Sequence, residues 1–149
     1  MNALKTFDDR LAGLLANLSP QSRKQLAADI AKKLRASQQQ RIKRQQAPDG
    51  SPYAARKAQP TRHKKGRIKR EMFAKLRTAR YMKAKGNTNE AVVEFTGQVQ
   101  RMAAVHHFGL KDRPSIHSQE VKYEERPLLG FTLQDRELVE NAVIACLAK

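Results

Sequence analysis

The sequence contains no Trp and only three Tyr and five Phe, so aliphatic residues and alanine must fill whatever core it forms. One cysteine, Cys146, excludes an internal disulfide and any Cys-based zinc cluster. Its place in an apolar run reads as a small hydrophobe on a helix face. Acidic residues are scarce, 14 against 30 Lys and Arg, and no carboxylate pair stands out for acid–base chemistry. Long apolar runs are missing too: the longest, Ala142 to Ala148, covers about a third of a membrane span. Met1-Asn2-Ala3-Leu4-Lys5, with Asp8 and Asp9 close behind, lacks the pattern of a secretory signal. The expectation is a soluble protein made in a reducing cytoplasm, with no membrane partner.

Chemistry-bearing motifs are lacking as well. The four histidines, His63, His106, His107 and His117, form no metal-binding helix pattern. Adjacent His106 and His107 diverge by about 100° on a helix and cannot easily share an ion. No glycine-rich phosphate loop, nucleophile elbow or Cys/His pairing is present. These absences point away from an enzyme, a cofactor and a small-molecule substrate.

What is present is uneven charge. The net charge is +16, but residues 20–85 carry 21 Lys/Arg against three acids, whereas residues 86–149 carry seven against nine. The first 19 residues balance. A split of this kind implies a basic surface facing an anionic partner and a neutral part with another task. A run of Lys and Arg with Gln spacers also dissolves well without binding anything, but this excess exceeds what solubility requires. One reading is therefore a sequence-nonspecific nucleic-acid-binding protein acting through its basic helix. Nothing resembles a recognition-helix pair or an aromatic RNA-stacking sheet.

At 149 residues the chain suits one domain, 1–149, burying roughly 70% of its extended-chain surface. Phe7, Leu11, Leu14 and Leu18 predict a short helix over 5–17. Ser19-Pro20 opens a second, with Leu26, Ile30 and Leu34 on one stripe. Beyond Leu34 the stripe thins to Ile42 alone, so a helix over 20–46, about 40 Å long, is expected to pack by its first half and project by its second. Residues 47–66 read as a basic, proline-containing linker. A short helix is expected after Gly66, with Ile68, Met72, Phe73 and Leu76 on one face.

Residues 79–85 and 90–96 predict a hairpin around Gly86-Asn87-Thr88-Asn89. Gln98 to His107 predicts a helix stopped by Gly109, 110–118 an irregular stretch, and Glu120 to Glu125 a strand. Thr132 with Asp135 forms a capping box opening a last helix, whose apolar face runs from Leu138 to Leu147. The fold class expected is α+β, a small antiparallel sheet flanked by helices.

Four punctuated segments recur along this framework. They are Pro48-Asp49-Gly50-Ser51-Pro52-Tyr53; Lys64-Lys65-Gly66-Arg67 leading into Met72-Phe73-Ala74-Lys75-Leu76-Arg77; Val105-His106-His107-Phe108-Gly109; and Arg126-Pro127-Leu128-Leu129-Gly130-Phe131. Taken singly, Phe108-Gly109 is an ordinary helix stop, and Arg126 to Phe131 a corner in which Pro127 fixes φ and Gly130 permits a turn. In this order and chain length they resemble the phage virion morphogenesis (tail completion) proteins of contractile-tailed temperate phages and their Mu-like relatives. The resemblance runs from about Phe7 to the last helix. In that family the third segment usually carries an amide where this chain has His107.

The resemblance implies a structural virion protein that completes the head-proximal end of a contractile tail and enables head–tail joining. It implies a ring of copies, hexameric to match the tail, in contact with other tail and neck proteins, and a location in the virion after assembly in the host cytoplasm. Contact candidates are Pro48, Asp49, Gly50, Tyr53, Phe108, Gly109, Arg126, Pro127 and Phe131. Candidates for an anionic partner, packaged DNA met through its phosphates, are Lys32, Lys33, Arg35, Arg41, Lys43, Arg44, Lys64, Lys65 and Arg67.

Overall fold

In a computed structural model of the protein, residues 3–56 and 71–148 are described. In chain order the elements are α1 (Ala3–Ala16), α2 (Pro20–Lys43), β1 (Met82–Gly86), β2 (Ala91–Phe95), α3 (Gln100–Phe108), β3 (Lys111–Asp112), β4 (Val121–Lys122) and α4 (Leu133–Leu147). The strands form two two-stranded antiparallel sheets, β1–β2 and β3–β4, so the α+β class holds. The chain condenses into two compact units, each assembled from separated stretches. Unit 1 takes residues 1–37, 83–94 and 131–149, and unit 2 takes 38–82 and 95–130.

Unit 1 is an apolar pack. Leu26, Ile30 and Leu34 of α2 are buried with Ala142 and Val143 of α4, and Leu11, Leu15, Leu138, Val139 and Cys146 close around them. Burying each large aliphatic contributes about 1.5–3 kcal/mol. The hairpin lies so close to α2 that a Cβ on Gly86 would fall 2.3 Å from the Ala28 nitrogen, so only glycine fits there. Its turn is an Asx motif: Asn87 Oδ1 accepts from the nitrogens of Asn89 and Glu90 at 2.7 and 2.9 Å. The capping box of α4 forms as expected, Thr132 Oγ1 accepting from Asp135 N and Asp135 Oδ2 from Thr132 N, both at 3.0 Å. Asp135 is fully buried, and its other oxygen accepts from the Ser37 hydroxyl.

Unit 2 departs from expectation in three places. The end of α2 does not project: Gln38, Arg41 and Ile42 are all buried. Residues 47–56 are not a linker. Ala47 N donates to Ser51 O and Tyr53 N to Gln45 O, an isolated bridge joins Gln46 to Pro52, and Tyr53 is buried. From Glu71 on, the expected third helix is a series of turns, with Phe73 in the left-handed region at φ 66°. The other residues placed on that helix and in that linker, 57–70, lie outside the described residues.

Candidate functional site

The described parts of the four segments, as far as Gly130, meet in unit 2, and side chains rather than a sheet hold them together. Residues 38, 41, 42 and 45 fall on one face at the end of α2. Here the helix ends in a Schellman arrangement, Gln46 N donating to Arg41 O and Gln45 N to Ile42 O. Gln45 takes the left-handed position at φ 57°, where glycine is usual. Its side chain offsets that cost: Nε2 donates to the carbonyls of Ile42 and Met72 at 2.8 and 2.9 Å, and Oε1 accepts from Met72 N at 2.8 Å. The amide group thus acts as a one-residue strand for Met72. Gln39 Nε2 likewise donates to Arg77 O at 2.8 Å.

The segment Arg126 to Gly130 has no regular secondary structure, yet five of its backbone groups bond to distant parts of the chain. Arg126 N donates to His106 O at 2.8 Å, and Pro127 O accepts from the Tyr53 hydroxyl at 2.7 Å. Leu128 N donates to His107 Nδ1 at 3.1 Å, while Leu128 O accepts from Arg41 Nη2 at 2.8 Å. Gly130 N donates to Gln38 Oε1 at 3.1 Å, and that oxygen also accepts from Arg41. Leu128 itself is fully buried. Buried backbone groups need partners, and here side chains supply them.

Two glycines set the spacing. A Cβ on Gly130 would sit 2.6 Å from Pro48 Cγ, so the first and last segments touch because position 130 has no side chain. Gly109, at φ 66°, ends α3, and a Cβ there would come within 2.9 Å of Glu125 N.

Tyr53, Phe73, His106 and Tyr123 stack edge to face in series, with centroids 5.7, 5.2 and 5.0 Å apart. Arg126 sits beside them, donating from Nε to Ala54 O at 2.9 Å and from Nη2 to Ala55 O at 3.2 Å. Burial, then the neighbouring Arg126 and Arg56 charges, hold His106 below the usual imidazole pKa. Burial also lowers His107, with Arg41 reinforcing the shift and Glu125 opposing it. A neutral His107 fits its role, since Nδ1 must accept the Leu128 proton. An amide oxygen could accept the same bond.

The contact candidates fall into two groups. Tyr53 and Arg126 are buried, and Pro48, Gly109 and Pro127 are half-buried parts of the same lattice. Asp49, Gly50, Phe108 and Phe131 reach the surface. Asp49 accepts from both the hydroxyl and the nitrogen of Ser51, which lowers its pKa and fixes the turn.

Among the cations, Lys32, Lys33, Lys43 and Arg44 are exposed and Arg35 is partly so. On α2 Lys32 lies directly opposite the buried stripe, with Lys33 and Arg35 to either side. Arg41, expected to face an anionic partner, is buried: its guanidinium is spent on Leu128 O, Gln46 O and Gln38. Lys64, Lys65 and Arg67 lie outside the described residues.

Among the described residues, no group of three His, Cys, Asp or Glu could hold a metal ion. None of the described helices is long and apolar enough to cross a membrane. A cavity of about 590 Å³ opens in unit 2 beside Phe73, His106 and Tyr123.

Apolar periodicity gives no signal for Gln38, Gln39 and Gln45, although their three- and four-residue spacing with Arg41 and Ile42 marks a helix face. The acceptor role of His107 has no local sequence signal.

The described parts of the four segments therefore form one interlocked junction. A family model described as the phage virion morphogenesis family matches residues 2–148. The chain belongs to that family. Within it, the tail completion protein S of Escherichia phage P2 is 45% identical over 150 residues, covering the whole of both chains. No solved structure matches the chain.

Proposed function

We propose that this protein is a structural component of a phage virion that completes the head-proximal end of a contractile tail, so that a filled head can join it. The observation that carries this reading is the end-to-end similarity to a protein named for tail completion. The junction in unit 2 supports it, because its polar side chains are engaged in holding backbone rather than aimed at a substrate. The work is positional and needs no cofactor.

On this reading several copies, six to match the tail, form a ring and touch other tail and neck proteins. Asp49, Gly50, Phe108 and Phe131 are the surface contacts among the segment residues. Lys32, Lys33, Arg35, Lys43 and Arg44, with Lys64, Lys65 and Arg67 by charge, face packaged DNA through its phosphates without reading sequence.

Electron microscopy of lysates from a phage deleted for this gene tests the reading. The expected result is filled heads and separate tails, with joining restored by a plasmid copy. Fully joined, infective particles in the deletion lysate would overturn it. The charge of residues 20–85 favours one other reading, a monomer that binds nucleic acid by itself. That reading requires tight DNA binding by the isolated chain, with log K falling by about 0.9 per phosphate contact for each decade of salt.

A further inference from the structure

Unit 1 carries two large apolar side chains that its own packing leaves out. Phe131 is 74% exposed and Leu133 80% exposed, one on each side of the α4 cap residue Thr132. A hydrophobic residue just before a helix cap usually packs on the fourth helical residue. Here that residue is Arg136, which is engaged with Asp8 and Glu140, so Phe131 has no such partner. The backbone beneath the pair is rigid, because the capping box and the buried Asp135 carboxylate fix it. A pre-ordered apolar knob loses little freedom on docking.

The same unit holds a matching recess. A mainly apolar groove of about 420 Å³ is lined by Ala12, Leu15 and Ala16 of α1, Leu26 of α2 and Val139 of α4, with Arg23 on one wall and the β1–β2 turn, Asn87 to Glu90, at its edge. Arg23 brings a positive charge to this groove, and its terminal guanidinium nitrogens can donate to an incoming carboxylate. One turn along from Leu133 on the same face of α4, the exposed Glu137 supplies a carboxylate. On α4 the knob at Leu133 and the groove wall at Val139 lie about 120° apart, so the knob does not face its own groove.

We infer that the groove receives a second copy of this chain: Phe131 and Leu133 of one copy seat among Ala12, Leu15 and Ala16 of the next, and Glu137 meets Arg23. Each copy then donates one surface and receives with another, a head-to-tail contact that closes into a ring when its rotation divides a circle. This rests on the ring reading above and assigns the contact to particular residues.

The test uses the full-length chain in two variants that keep exposed positions exposed. One is Phe131→Asp with Leu133→Asp, and the other is Ala12→Asp with Ala16→Asp. Circular dichroism should show both folded as the unchanged protein is. Analytical ultracentrifugation should show each variant alone associating about 30-fold or more weakly, the scale of losing an interface hot spot. Mixed one to one, they should form heterodimers, because the intact knob of one meets the intact groove of the other. Charge exchange, Arg23→Glu with Glu137→Arg, should restore association that either single change weakens.

A mixture that stays monomeric, a knob variant that assembles like the unchanged protein, or an unchanged protein that never associates would each overturn the inference. Complementation of the deletion phage separates the two levels. A knob variant that assembles normally and restores joining sinks this contact and leaves tail completion standing.

Discussion

Unit 1 and unit 2 reach stability by different means. In unit 1, Leu26, Ile30, Leu34, Ala142 and Val143 exclude water by ordinary helix-stripe packing. In unit 2, Gln38, Arg41, Gln45, Tyr53, His107 and Arg126 bond to backbone groups of distant segments. The first kind of packing tolerates a change of shape at constant volume. The second depends on fixed donor and acceptor positions, so a residue of similar size and charge need not serve. An irregular path held by side chains, such as Arg126 to Gly130, allows few alternatives at each position.

Substitution of Leu34 should have the largest effect. Leu34→Ala should cost about 2–5 kcal/mol by cavity formation, whereas Leu34→Met should cost under about 1.5 kcal/mol. In unit 2, Arg126→Ala should cost about 1–3 kcal/mol, because it removes a buried side chain and its bonds to the Ala54 and Ala55 carbonyls. Arg126→Lys should cost nearly as much, since an ammonium lacks the planar fork. Urea unfolding of the four variants sharpens the comparison, and a well-tolerated Arg126→Lys would break it.

Gly130→Ala comes next, at about 1–3 kcal/mol, because the new methyl group would meet Pro48. Adding Pro48→Ala should recover part of that loss, and a double-mutant cycle reads the coupling.

The elements of unit 1 could be read from the sequence because each is signalled locally. Leu26, Ile30 and Leu34 set the stripe of α2, Gly86 to Asn89 the turn, and Thr132 with Asp135 the cap. The same held for α3, which Gly109 ends. Unit 2 was legible as a set of segments but not as a structure. Helix periodicity is scored on apolar residues, and the face that matters at the end of α2 is Gln38, Arg41 and Gln45. Their partners in the other segments lie 27 to 92 residues away in sequence, beyond the reach of any local pattern. Phe73 read as helical because Met72 and Leu76 bracket it, yet the rings of Tyr53 and His106 lie edge-on to it at a positive φ.

Thr132→Ala should cost about 1 kcal/mol, the usual value of a lost cap, seen as a small drop in thermal midpoint.

The pH response should be smallest near neutrality. Both His106 and His107 have folded pKa values below the ordinary imidazole value, so above about pH 6.5 they are neutral in the folded and unfolded chains alike and cost nothing. As pH falls below that value the unfolded chain takes up protons that the fold resists, so stability declines until the folded pKa is passed. His107→Gln keeps an acceptor for Leu128 N without titrating, and should flatten part of that decline in urea midpoints measured between pH 7.5 and 5.

Cryo-electron microscopy of purified tails, with and without this gene, tests the central claim most directly. Tails made with the gene should end at the head-proximal side in a ring of density sized for copies of this chain, and tails made without it should lack that ring. Identical tail ends in the two preparations would contradict the account.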